Sequence, residues 1–339
     1  MTPTDAQRIA ALAQGWLGQE IARVEPLAGG LGLRRFFRVH VARGQTAIAR
    51  VETDEDPAGR PPGIPPEPPL EPIRALLERA GVPAPRSLGR APGVDLLEDF
   101  GDESLAAIAK QTPAAETERV VARALDLLPR LQRVRDDGSG VDAFARRLDA
   151  PYFAYKADLF ARYSLPEALG RAPRASELAA LRDAFAWIGE QALRAPLRLS
   201  HRDFQSQNLI VRPGGALGLI DLQGAFLAPP EYDFVCLLRD SYLELDERFV
   251  ASELARVRPA LPDAPSAREF EARFELLTLT RKGKDHARFL YAAQERGDAR
   301  YQAFAPRTAR MLGRAAQRAA GFDARIARLA ELLARWAEA

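Results

Sequence analysis

The segment Leu199–Val211 reads LSHRDFQSQNLIV, and Leu217–Gly224 reads LGLIDLQG after a glycine turn at Pro213-Gly214-Gly215. Asp203, Asn208 and Asp221 are bracketed by apolar β-like runs, Asn208–Val211 and Leu217–Ile220, which predict a rigid hairpin to hold them. Phosphoryl transfer asks a protein for few chemical groups, but it asks that they be fixed. One carboxylate must accept or orient the attacking hydroxyl, and oxygen ligands must hold magnesium against the phosphates. Asp203 fits the first role, Asn208 and Asp221 the second. A solvated polar loop between two strands is the bland alternative, and the joint spacing speaks against it. His201 reads as a structural residue, since a histidine in such a loop more often braces backbone than moves protons.

Composition narrows the chemistry further. The chain has 339 residues, 47% hydrophobic and 28% charged, enough to build a large core in two lobes or two domains. A single cysteine, Cys236, excludes an intramolecular disulfide, and three histidines make a Cys/His metal site a poor fit, so a metal would sit on oxygen ligands, as magnesium does. The formal net charge of +2 gives no reason to expect nucleic acid or a membrane surface as partner. No apolar run approaches the roughly 20 residues of a membrane span, and Asp5, Arg8 and Gln14 interrupt the only apolar stretch near the start, so the cytoplasm is the expected location. Lysine occurs only at positions 110, 156, 282 and 284 among the 48 basic residues.

The elements that must position the site follow from periodicity. Thr4–Glu20 reads as an amphipathic helix capped by Thr2 or Thr4. Ile21–Leu27, Arg34–Ala42 and Gln45–Glu52 read as three antiparallel strands, and Ala28–Leu33 (AGGLGL) joins the first two. The proline-rich run at 57–72 reads as an exposed connection. A helix over Leu70–Ala80 and short strands at Arg86–Gly89 and Val94–Glu98 lead to a lobe boundary near Gly101. Beyond it the chain is mainly helical apart from Leu197–Leu222, with helices expected at Ala175–Leu193, Ala267–Arg281 and Arg307–Ala337. Cys236 lies in an apolar helix and is expected only to pack.

The spacing of His201, Arg202, Asp203 and Asn208 matches the kinase catalytic loop, and Asp221 stands where kinases carry their metal-binding aspartate. A His-x-Asp loop followed closely by Ile-Asp resembles the aminoglycoside phosphotransferase and choline kinase superfamily more than protein kinases. Within it, IDLQGAFLAPPEYDFVCLLRDSY (Ile220–Tyr242) is similar to the bacterial kinases that phosphorylate N-acetylmuramate and N-acetylglucosamine at C1 during cell-wall recycling. The resemblance extends to LAGGLGLRRFFRV (Leu27–Val39), AGVPAP (Ala80–Pro85), LLEDFGD (Leu96–Asp102) and LTRKGKDHARFLY (Leu279–Tyr291).

The resemblance implies an α+β, two-lobed protein-kinase-like fold. A small antiparallel β-sheet lobe, residues 1–101, would bind nucleotide, and a larger, mostly helical lobe, 102–339, would carry catalysis and acceptor. ATP and magnesium are the implied cofactors. Gly29, Gly30 and Gly32 would let backbone N–H groups approach the phosphates. Arg50 stands where the kinase pattern has lysine, and an outward-facing strand residue is the competing reading. Glu71, with Glu78 as alternative, is its expected partner, and Glu98 lies where the adenine would meet backbone. Gln205, Gln223, Arg239 and Asp240 fall to the acceptor side, although Arg239 and Asp240 read equally as structural ion-pair residues, and Asp233 is implied to brace the lobe.

The expected activity is transfer of the ATP terminal phosphate to a small hydroxylated acceptor, an amino-sugar at its anomeric oxygen. The alternatives are a kinase for an aminoglycoside or choline, and a nucleotide-binding pseudokinase scaffold. Residues 281–339 hold 13 Lys or Arg against 6 Asp or Glu, which tilts the acceptor toward a neutral or anionic molecule rather than a polycation. Most of those charges are nonetheless read as a solvated helical face.

Overall fold

The computed structural model describes residues 4–27, 35–52 and 66–338. Helix α1 (Asp5–Leu17) starts at Thr4, whose hydroxyl and backbone exchange hydrogen bonds with Gln7 in a capping box, and ends at Gly18 in the left-handed region. Strands β1 (Ile21–Pro26), β2 (Arg35–Val41) and β3 (Thr46–Val51) follow, then helix α2 (Leu70–Arg79) and strands β4 (Ser87–Ala91) and β5 (Val94–Glu98). The two short strands complete the expected three-stranded sheet rather than standing apart from it. All five form one antiparallel sheet in the order β1-β2-β3-β5-β4.

Strand alternation decides which way each side chain of β3 points. Ala47, Ala49 and Val51 join Val39, Val94 and Leu96 against Ile9 and Ala13 of α1, a separate small core on one face of the sheet. Arg50 therefore points from the opposite face. Helix α2 does not share that core. Its Leu70, Ile73, Leu76 and Leu77 pack into the large core of the helical lobe, tying the connection between β3 and β4 to the hairpin that carries the site.

The helical lobe contains α3 (Ala150–Leu159), α4 (Ala175–Ala192), α5 (Tyr232–Leu238), α6 (Ala267–Arg296) and α7 (Ala305–Ala319), with further helices among them, such as Ala114–Leu125 before α3 and Glu247–Val257 before α6. Helix α6 runs 30 residues, well past its expected end at Arg281. Gly283 does not break it, because the glycine is needed for packing. A Cβ there would stand 2.7 Å from a ring carbon of Phe160, so absence of a side chain lets α6 lie directly on that ring. The helix expected over 307–337 is instead three. Asp323 adopts an extended backbone and caps a new start at Ala324, and the chain breaks again at Leu333 before Ala334–Glu338. Among the described residues, no helix is long and apolar enough to cross a membrane.

Candidate active site

Strands β6 (Arg198–Ser200) and β9 (Phe226–Ala228) pair, as do β7 (Leu209–Val211) and β8 (Leu217–Leu219). The β7–β8 ribbon is the expected hairpin. The Ile220 N–H donates to the Asn208 carbonyl at 3.0 Å, which sets Asn208 and Asp221 side by side at one end of it. The Asn208 carboxamide Nδ2 donates to the Asp203 carbonyl at 2.8 Å, so its oxygen faces the other way. Asp221 is exposed, and its Oδ1 accepts from Gln223 Nε2 at 2.5 Å. Asp203, Asn208 and Asp221, three residues singled out by spacing, are thus brought together by one ribbon.

Two residues here hold backbone conformations that side chains resist. Arg202 has φ 76° and Asp221 φ 64°, two of only four non-glycine residues with positive φ among those described. Such strain costs on the order of 1–3 kcal/mol per residue and persists only where the surroundings impose it. For Arg202 the imposing group is Asp233, buried at the start of α5. Its carboxylate accepts from Ser200 Oγ at 2.9 Å, the His201 N–H at 2.8 Å and the Arg202 N–H at 3.1 Å. Asp240, just past the end of α5, repeats the device, accepting from the Ser206 N–H at 2.6 Å and the Tyr242 N–H at 3.0 Å. His201 is 1% exposed, and its Nε2 lies 2.9 Å from the Ile220 carbonyl, to which it must donate. Its side-chain hydrogen bond is with backbone and not with Asp203.

The electrostatics come from a helix whose role the sequence did not show. Arg281 of α6, 1% exposed, donates through Nη2 to Asp203 Oδ1 at 2.9 Å, through Nη1 to Asp285 and through Nε to Cys236 Sγ at 3.3 Å. Lys284 Nζ stands 4.0 Å from Asp203 and 3.6 Å from Asp285, and Lys282 donates to Asp285 at 2.7 Å. Burial pushes the Asp203 carboxyl up, but the charges of Lys284, Arg281 and Arg202 outweigh it and hold the group well below the ordinary carboxylate range. With Oδ1 occupied by Arg281, Oδ2 is the oxygen placed to meet an incoming hydroxyl. Cys236 does more than pack: burial raises its thiol to about 11, and the protonated group donates to the Arg202 carbonyl at 3.2 Å.

Several expected site residues are committed elsewhere. Arg50 is 5% exposed and pairs with Asp95, its direct cross-strand neighbour, at 2.8 Å and with Glu52 at 3.3 Å. The expected partner Glu71 is instead bound to Arg74 of its own helix, as is the alternative Glu78, because residues three and four apart share a helix face. Glu98 gives its N–H to the Arg86 carbonyl and its carboxylate to Arg86 and Arg212, so it offers a ligand no donor. Arg239 turns away from its neighbour Asp240 and is held by Glu247, Glu275 and the Phe274 ring. Gln223 is buried against Asp221, and Gln205 is half-buried on the loop after Asp203. Gly29, Gly30 and Gly32 lie outside the described residues. What the sequence reading missed is Arg281 and Lys284. A signal was available: two of the chain's four lysines fall in the pentapeptide RKGKD.

A small antiparallel sheet and a helical lobe, with a carboxamide and a carboxylate at one end of a ribbon and a second carboxylate tied to them by the Asn208–Asp203 hydrogen bond, are the arrangement of a phosphotransferase of the kinase-like fold. Residues 23–270 match the phosphotransferase enzyme family that includes the aminoglycoside phosphotransferases, and the chain belongs to that family. It is a small-molecule phosphotransferase that acts on a hydroxyl group. A curated N-acetylmuramate/N-acetylglucosamine kinase from Pseudomonas aeruginosa is 27% identical over 330 residues, covering 95% of this chain and 91% of that one. A protein of the same description from Neisseria meningitidis is 25% identical, covering 90% and 89%. Among solved structures, a spectinomycin phosphotransferase superposes with a TM-score of 0.61 at 11% identity, covering 89% of this chain and 93% of that one. A choline kinase from Streptococcus pneumoniae gives 0.60 at 13%, covering 91% and 98%. These two similarities bear on the fold alone, and it is the two-lobed α+β fold expected.

Proposed function

We propose that this protein is an ATP- and magnesium-dependent kinase of an amino-sugar, transferring phosphate to the anomeric hydroxyl of N-acetylmuramate or N-acetylglucosamine. The observation that carries the transfer chemistry is the ribbon that sets Asp203, Asn208 and Asp221 together. Asp203 Oδ2 accepts the hydrogen bond of the acceptor hydroxyl and aims its oxygen, while Arg281 keeps the carboxylate ionised and fixed. A hemiacetal hydroxyl is more acidic than an ordinary alcohol, and a weakly basic carboxylate such as Asp203 suits it.

Asn208 and Asp221 hold magnesium. The fit rests on donor type, since the carboxamide turns its oxygen outward and both residues offer the hard oxygen ligands magnesium prefers. The ion, when bound, neutralises charge on the phosphate oxygens. Residues 1–101 serve as the nucleotide lobe in this reading. The amino-sugar acceptor is supported by the descriptions of the two curated relatives.

The test is a panel of acceptors with purified protein, ATP and magnesium, following ADP release. N-acetylmuramate or N-acetylglucosamine should consume ATP far above the hydrolysis background, and Asp203→Ala should abolish this while keeping the thermal shift produced by Mg-ATP. Activity only on an aminoglycoside or choline would replace the amino-sugar reading. Unchanged turnover by the Asp203 variant would sink the assigned role.

A further inference from the structure

The buried surroundings of Asp203 carry more positive than negative charge. Arg281, Lys282 and Lys284 are all at most 8% exposed, and the carboxylates they face are Asp203 and Asp285. Arg281 and Lys282 have short hydrogen bonds to those carboxylates. Lys284 does not. Its ammonium stays beyond hydrogen-bond distance of either, with its donors unfilled by protein. Burial, together with the Arg281 charge, brings this lysine down to about 8, against the pull of Asp203 and Asp285.

One turn further along α6 stands Arg288, half-buried, with no ion pair or hydrogen bond among the described residues. Cations four residues apart on a helix face each other and repel, at a cost of about 0.2–0.5 kcal/mol. Unlike most arginines of this protein, Arg288 has no carboxylate to offset that. The burial of Tyr155 on α3 raises its phenol, and the charges that pull it back are those of Arg288 and Arg202. Lys284 and Arg288 stand one turn apart on α6, and Lys284 at 4.0 Å and Arg202 at 3.9 Å both adjoin the Asp203 carboxylate. The elements packed on α6 are other parts of the helical lobe, α3, α4, α5 and α7, so these cations belong to that lobe and not to the sheet.

We propose that Lys284 and Arg288 form an anion-binding subsite that takes a carboxylate carried by the acceptor. The assignment rests on the amino-sugar reading above and deepens it. N-acetylmuramate carries such a carboxylate on its lactyl ether, and N-acetylglucosamine does not. A carboxylate seated there fills the open donors of Lys284 and Arg288 and neutralises the excess buried charge.

The experiment compares kcat/KM for the two sugars at fixed ATP and magnesium in wild-type protein and in Arg288→Met, Arg288→Lys and Lys284→Met. A charge-assisted hydrogen bond lost to one substrate only should lower the ratio of N-acetylmuramate over N-acetylglucosamine about tenfold in Arg288→Met and Lys284→Met. Arg288→Lys should restore much of it. Because the readout is a ratio within each variant, partial misfolding cancels. Equal loss on both sugars, with the ratio unchanged, would overturn the subsite and give these cations to the phosphate. Turnover of neither sugar by the wild-type protein would overturn the amino-sugar reading and the subsite with it.

Discussion

Replacing Arg281 by methionine tests whether α6 sets the working state of Asp203. The side chain is 1% exposed and bonds Asp203, Asp285 and Cys236, so its loss leaves one carboxylate donor missing at Asp203 and a second at Asp285. A hydrogen bond to a charged group contributes about 1.5–3 kcal/mol, and one pKa unit corresponds to 1.36 kcal/mol. Taken alone this raises the Asp203 pKa by about one to two units. Lys284 and Arg202 remain beside it and the side chain is 26% exposed, so the lower end applies, about one unit.

The sign follows from the native state, in which Asp203 is depressed below its unfolded value of about 3.9. Its ionised form is therefore favoured by folding, a contribution complete above that value and lost only as pH falls through the folded pKa. In the wild type, kcat/KM should show no acid limb from this group down to about pH 4. In Arg281→Met the acid limb of Asp203 should stand about one unit higher than in the wild type, still below pH 4 and so followed by carboxyl NMR rather than by turnover, with kcat lowered and the affinity for Mg-ATP preserved. Stability should fall by about 3–5 kcal/mol, since a buried pair loses one partner. Arg281→Lys should keep the charge while losing the forked geometry, and so recover the limb better than the rate. A folded Arg281→Met protein in which Asp203 titrates as in the wild type would refute the reasoning.

Two further outcomes concern the scaffold. Glu231, fully buried, is raised to about 7 by burial against the opposing pull of Arg273, so the folded state binds its proton more tightly than the unfolded chain does. Stability from this proton is complete below about pH 4.3 and is lost as pH rises through about 7, so melting curves of wild type and Glu231→Gln should diverge in favour of the variant between pH 5 and 8. A constant offset would contradict that. Gly283→Ala sets a methyl group 2.7 Å from Phe160 and should cost about 1–3 kcal/mol in chemical denaturation, with catalysis weakened because Arg281 and Lys284 flank the site of the shift. An unperturbed midpoint would show that the helix has room to move.

The amino-acid sequence by itself determined the elements whose cause is local. The Thr4 cap and Gly18 stop bound α1, alternation at Ala47, Ala49 and Val51 sets β3, and the turn at Pro213-Gly214-Gly215 forces the ribbon that unites Asn208 with Asp221. Spacing along a hairpin is a short-range property, which is why Asp203, Asn208 and Asp221 were legible. The tertiary structure alone decided the partners. Whether Arg50 meets Glu71 or Asp95 depends on strand register, and Arg74 had already bound Glu71 within its own helix turn.

Arg281 meets Asp203 across 78 positions of sequence, a contact no local periodicity encodes. Gly283, beyond the expected helix end at Arg281, lets α6 continue past that point pressed against Phe160. A glycine's meaning depends on what lies opposite it, and only the folded chain supplies that.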